Sequence, residues 1–102
     1  MDYAVSQNGA DTIVSLSGNI GFTDHPIFKR AVEEVAEQKA SRVIVELNKV
    51  DAIDSAGLSM FLIMQDKVRK FGGEVILRGA RDNVERVFDV VNFSALFTIE
   101  KA

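Results

Sequence analysis

The sequence predicts an α/β fold, with a mixed central sheet of about five strands, an antiparallel N-terminal hairpin and helices packed mainly on one face. Short runs of β-favouring apolar residues alternate with longer segments of helical periodicity. The first two runs flank Asn8-Gly9, a hairpin signal. A third run, Val43-Ile44-Val45-Glu46-Leu47, is apolar at every position but one, as a buried strand requires.

The hairpin strands are predicted over Tyr3–Gln7 and Thr12–Ser17, and Gly18–Phe22 reads as a glycine-bearing loop. Thr23-Asp24-His25-Pro26 then offers a capping side chain and a first-turn proline. In the helix that follows, to about Ala40, Ile27, Phe28, Ala31, Val32 and Val35 share one face. Lys29, Arg30, Glu33, Glu34 and Glu37 fall on the other. After the strand Val43–Leu47, the loop Asn48–Ile53 leads to a second helix from Ser55 to about Phe71. Ser55 or Asp54 caps it and Gly72-Gly73 ends it. Val75–Leu77 is a further apolar strand. Asp82 is expected to cap a third helix carrying Val84, Val87, Phe88 and Val91 at helical spacing, and Leu96–Ile99 forms a last strand.

Length and composition narrow the function. A chain of 102 residues fits one domain, residues 1–102, with no room for a second core. The net charge of −3 argues against nucleic acid as a partner, since a phosphate backbone demands a basic face. The absence of cysteine removes disulfides, thiol catalysis and thiolate metal sites. No apolar run approaches the roughly 20 residues of a membrane span, and Met1-Asp2-Tyr3 opens no signal peptide, so a cytoplasmic location without membrane insertion is expected.

Nothing assembles into a catalytic constellation. His25 is the only histidine, and Asp54-Ser55-Ala56-Gly57 lacks the glycine two residues before the serine that a nucleophile elbow needs. Scattered carboxylates give no metal-ligand spacing, and Gly72-Gly73 lacks the closing Lys-Ser/Thr of a phosphate loop. A phosphoaspartate receiver would carry paired acids where Asn8-Gly9 stands. Neither enzymatic activity nor a cofactor or metal is expected.

Ser55 is the residue singled out. It lies where a strand gives way to a helix, with its hydroxyl at the surface. A phosphate added there would meet free backbone N–H groups and the positive end of the helix dipole. The following helix is too apolar for one buried face. With Leu58 at the origin of a helical wheel, Met64, Phe71, Val68, Phe61, Leu58 and Leu62 span a broad core arc. Met60 sits at its edge and Ile63 outside it, among Ser59, Lys67 and Lys70. A partner covering Met60 and Ile63 would also reach Ser55.

With these features the chain resembles a STAS domain of the bacterial anti-sigma factor antagonist type. The resemblance covers nearly the whole sequence. It rests on Val43–Leu47, on Ile53-Asp54-Ser55-Ala56-Gly57-Leu58, on Phe71-Gly72-Gly73 before another strand, and on the Val84–Phe88 helix. It implies that Ser55 is the phosphoacceptor. It also implies that the unphosphorylated domain binds an anti-sigma factor, itself an ATP-dependent serine kinase, and so frees a sigma factor. Phosphorylation ends the complex and a metal-dependent serine phosphatase resets the cycle, so ATP and metal belong to the partners. The partner-facing residues expected are Asp54, Ser55, Ala56, Gly57, Ser59, Met60 and Ile63, with Thr23 and Asp24 from the preceding loop. Alternatively, the domain serves a partner switch with a non-transcriptional output or an ABC-type lipid transport complex. The family commonly carries an acidic residue in the loop after the second strand, whereas Gly18-Asn19-Ile20-Gly21 has none. Many relatives also continue into a further helix beyond the position of Ala102. Its lack is expected to leave an apolar patch open, consistent with a monomer or weak homodimer.

Overall fold

A computed structural model describes residues 1–101. Five strands form one sheet in the order β1-β2-β3-β4-β5. They are β1 (Asp2–Asn8), β2 (Asp11–Ile20), β3 (Arg42–Ile53), β4 (Glu74–Arg78) and β5 (Thr98–Glu100). Only β1 and β2 pair antiparallel; the later neighbours are parallel. Each parallel step is bridged by a helix: α1 (His25–Gln38), α2 (Ser55–Arg69) and α3 (Asp82–Val90). Because the strands are laid down in one direction across the sheet, right-handed crossovers bring all three helices to the same face. The mixed sheet and its hairpin are as the sequence predicts.

The alternation along the strands shows how the sheet is covered. Val14, Leu16, Val43, Val45, Leu47, Val75 and Leu77 point into the helix layer, with Phe28, Val32, Phe61, Met64, Val68, Val84 and Phe88 from the helices. An edge-to-face aromatic chain runs through this core, with Phe28 and Phe61 at 5.3 Å and Phe61 and Phe88 at 6.3 Å between ring centroids. The other face carries three cross-strand rows. Ser6, Ile13, Ile44, Ile76 and Thr98 align in the middle one. Asp11, Arg42 and Glu74 lie on one side of it, and Ser15, Glu46, Arg78 and Glu100 on the other. Arg78 reaches Glu100 at 2.9 Å and Glu46 at 3.3 Å.

Several boundaries differ from the sequence reading. Gly18–Phe22 and Asn48–Ile53 are not loops for most of their length. β2 and β3 continue pairing through two register shifts to Ile20 and Ile53, and these irregularities let the ladder outrun the simple apolar runs. The hairpin loop is Gly9-Ala10, with Asn8 paired to Asp11. The last strand starts only at Thr98, because a 3₁₀ turn over Phe93–Ala95 precedes it and Leu96 is exposed. Asp82 does not cap α3. It is the first helical residue, with φ of 50°, and its carboxylate faces the Arg81 guanidinium at 3.3 Å. Helix α2 stops at Arg69, so Phe71 lies beyond it and is exposed rather than in the core. Gly72, at φ 79°, closes that helix as expected: its N–H donates to Arg69 and that of Gly73 to Val68.

Candidate functional site

The site forms where β2 and β3 end together, at the carboxyl edge of the sheet, where α/β folds place function. The last paired residues are Ile20 and Ile53, and the Asp54 N–H donates to the Ile20 carbonyl at 3.1 Å. This fixes the take-off of α2. Asp54, in extended conformation, is its N-cap: one carboxylate oxygen accepts from the N–H groups of Ala56 at 3.0 Å and Gly57 at 3.1 Å. The other oxygen accepts from the Phe22 N–H at 3.2 Å. One side chain therefore holds the start of α2 and the loop after β2 together.

Ser55 is the first residue of α2 and is exposed. Ser59, one turn on, is exposed and its hydroxyl donates to the Ser55 carbonyl at 3.0 Å. The free amides expected around Ser55 are in part occupied: those of Ala56 and Gly57 are taken by Asp54, and that of Leu58 donates to the Asp54 carbonyl. The helix start already holds a carboxylate, so a phosphate on Ser55 would stand beside it in solvent rather than fold into the amide cluster.

The loop after β2 is a 3₁₀ turn, Phe22–Asp24, leading into α1. Asp24 occupies the N-cap position of α1 but makes no capping bond into that helix. Its carboxylate instead accepts from the Gly21 N–H at 2.9 Å and from the Met1 amino group at 3.1 Å. The Gly21 hydrogen bond and, after it, the amino group hold the Asp24 carboxyl below its ordinary pKa. Thr23 is exposed and Pro26 sits in the first turn of α1, as the sequence predicts. Gly21 itself is closely placed: a Cβ would lie 3.0 Å from the Asp54 carboxylate, which would have to shift to accept it.

The structure thus gathers Thr23, Asp24, Asp54, Ser55 and Ala56 at one end of the sheet, with Ser59 a turn along α2. Two expected contact residues are placed otherwise. Met60 is not at the edge of the core but in it, 5% exposed, and Gly57 is buried against Ile53 and Ile20. Ile63 is at the surface, 42% exposed, as the wheel predicts. Phe22, which the sequence reading left in an undifferentiated loop, is 79% exposed while its backbone is pinned by Asp54. An aromatic side chain held out in water on the loop tied to Asp54 is the feature missed. The only signal for it was an aromatic residue following glycine in a polar stretch. Among the described residues no cluster of three or more His, Asp or Glu could hold a metal, and no helix is long and apolar enough to cross a membrane.

A mixed sheet with helices on one face and an Asp-Ser helix start at its carboxyl edge defines the STAS class. Residues 2–102 match the STAS domain model, and the chain belongs to that family. It is 30% identical over 95 residues to the anti-sigma-B factor antagonist of Bacillus subtilis, covering 93% of this chain and 86% of that protein. Among solved structures, a Thermotoga maritima protein provisionally assigned as an anti-sigma factor antagonist superposes with a TM-score of 0.87. It is 19% identical, covering 98% of this chain and 86% of that one. The Bacillus cell fate determinant SpoIIAA, in its phosphorylated form, superposes with a TM-score of 0.74 at 14% identity, covering 99% and 91% of the two chains. At these identities the two structures speak for the fold, while the Bacillus subtilis relative and the family match speak for descent.

Proposed function

We propose that this chain is a phospho-regulated protein-binding switch of the anti-sigma factor antagonist kind. In its unphosphorylated form it binds and sequesters an anti-sigma factor that is itself a serine kinase, which releases a sigma factor. Phosphorylation of Ser55 ends that binding, and a serine phosphatase restores it. The chain carries no chemistry of its own in this cycle; the nucleotide and metal belong to the kinase and phosphatase. The name of the 30% identical relative supports the partner class. The observation that carries the reading is the exposed Ser55 hydroxyl at the first position of α2, next to a cap that also pins the exposed Phe22.

A phosphoserine adds about −1.5 to −2 charges at neutral pH. With Asp54 holding the Ala56 and Gly57 amides, that charge gains little from the helix start and adds to a carboxylate already there. A partner seated on Ser55 would have to desolvate both charges, which costs several kcal/mol in an interface not built for them. About 1.4 kcal/mol already lowers affinity tenfold.

The test is a paired capture from the native lysate with Ser55→Ala and Ser55→Asp baits, read by mass spectrometry. A kinase-fold protein held by the alanine bait and lost or depleted from the aspartate bait is the expected result. Equal retention of the same proteins by both baits would make Ser55 a plain helix residue and favour a structural subunit role.

A further inference from the structure

A second feature lies beside α2, away from the Ser55 hydroxyl. A cleft of about 210 Å³ opens between α1 and α2, lined by His25, Lys29, Val32, Met60, Ile63 and Lys67. Its floor is apolar, made by the buried Val32 and Met60, and the half-exposed Ile63 forms one wall. Its rim is cationic. Lys29 and Lys67 are both exposed, and neither pairs with a carboxylate among the described residues. In a chain of net charge −3, two unpaired lysines facing one apolar concavity form a local field of opposite sign.

From this geometry we infer that the α1–α2 cleft is a binding site for a monocarboxylate with a short apolar tail. The tail lies on Val32, Met60 and Ile63, and the carboxylate sits between the Lys29 and Lys67 ammonium groups. The size of the cleft sets the length of the tail. About 210 Å³ has room for a short alkyl chain and not for a long-chain lipid, and octanoate serves as the probe of that size. Charge complementarity selects the anion, and the apolar floor selects the tail over a bare inorganic ion, which would leave it empty. Met60 and Ile63 are also among the residues expected to face the partner, but the test below uses neither phosphorylation nor a partner, so it stands or falls separately from the proposed function.

The test is a two-dimensional amide NMR titration of the whole chain with octanoate, run beside octan-1-ol, which keeps the tail and removes the charge. Octanoate is expected to saturate with a dissociation constant on the order of 1 mM, the value usual for a ligand of this size. The shifts should centre on Lys29, Val32, Met60, Ile63 and Lys67. Octan-1-ol should bind several-fold more weakly, and added salt should weaken octanoate but not the alcohol. The double variant Lys29→Gln/Lys67→Gln should lower octanoate affinity about five- to tenfold. Its folding is read from the same spectrum, and the salt series on the unmodified chain tests the charge term without any substitution. No saturable shift, shifts centred on another surface such as the α3–β5 cleft at Ala80, Phe88 and Ile99, or equal binding of acid and alcohol would each overturn the assignment.

Discussion

The Asp54 carboxylate takes three backbone N–H groups, two from the first turn of α2 and one from Phe22, 32 residues away in sequence. Removing it in Asp54→Ala should cost about 1 to 2 kcal/mol, the cap together with the tie to the loop. Asp54→Asn keeps one acceptor oxygen for the helix but turns an NH₂ group toward the Phe22 N–H. It should fall between the two in a urea denaturation series. An asparagine variant as unstable as alanine would show that the Phe22 bond outweighs the cap. Gly57 poses the opposite problem. Alanine is the better helix former by about 1 kcal/mol. Yet a Cβ at this position would stand 2.7 Å from Ile53 and 2.9 Å from Ile20. Overpacking of this kind costs about 1 to 3 kcal/mol, so Gly57→Ala is expected to destabilise the fold and lower its melting temperature. A gain in stability would mean that Ile20 and Ile53 yield freely. At this scale the sequence left Asp54 and Ser55 equal as caps, because both side chains can accept from a helix start. The Phe22 N–H singles out Asp54, and that contact is non-local.

Helix α2 shows why the element scale was only partly legible. Its buried residues are Gly57, Met60, Phe61, Met64, Gln65 and Val68, a stripe of helical spacing that begins at a glycine. A wheel weighted by apolar side chains gives Gly57 no vote, so it turned the stripe away from Met60 and toward Leu62, which is exposed. It also passed over Gln65, which is 8% exposed in the core arc. The Gln65 amide donates to the Leu96 carbonyl at 2.6 Å and ties α2 to the segment before β5. Gln65→Leu would add apolar surface but orphan that carbonyl, for a net cost of about 1 to 2 kcal/mol. Amide hydrogen exchange at Phe97 should quicken with it. Unchanged exchange there would show that the tail does not depend on this tie. The strands were misjudged for a different reason. Irregular pairing carries β2 and β3 three and six positions past the predicted strand ends, as far as Ile20 and Ile53.

Across the whole molecule, the alternation of strand and helix sufficed for the fold class, because each parallel step needs a crossover and consecutive crossovers share a hand. The open face of the sheet is protected by its sequence. The isoleucine row Ile13, Ile44 and Ile76 lies between charged rows that include the Glu46–Arg78–Glu100 network. Covering those charges with a second sheet would require their desolvation, which discourages stacking. The helices and the carboxyl edge are left for recognition, and there the Asp-Ser motif was legible while the exposed Phe22 was not. Helix α2 and the loop after β2 meet at Asp54, so a charge on Ser55 changes a surface built from two elements without entering the core. The most direct test is a calorimetric titration of the kinase-fold protein retrieved by the Ser55→Ala bait against the unmodified chain and against the chain carrying phosphoserine at position 55. Binding of the phosphorylated chain should weaken by about a hundredfold or more, with its melting midpoint within about 4 °C of the unmodified chain. Equal affinities, or a phosphorylated chain without a folded baseline, would contradict a local charge switch at Ser55.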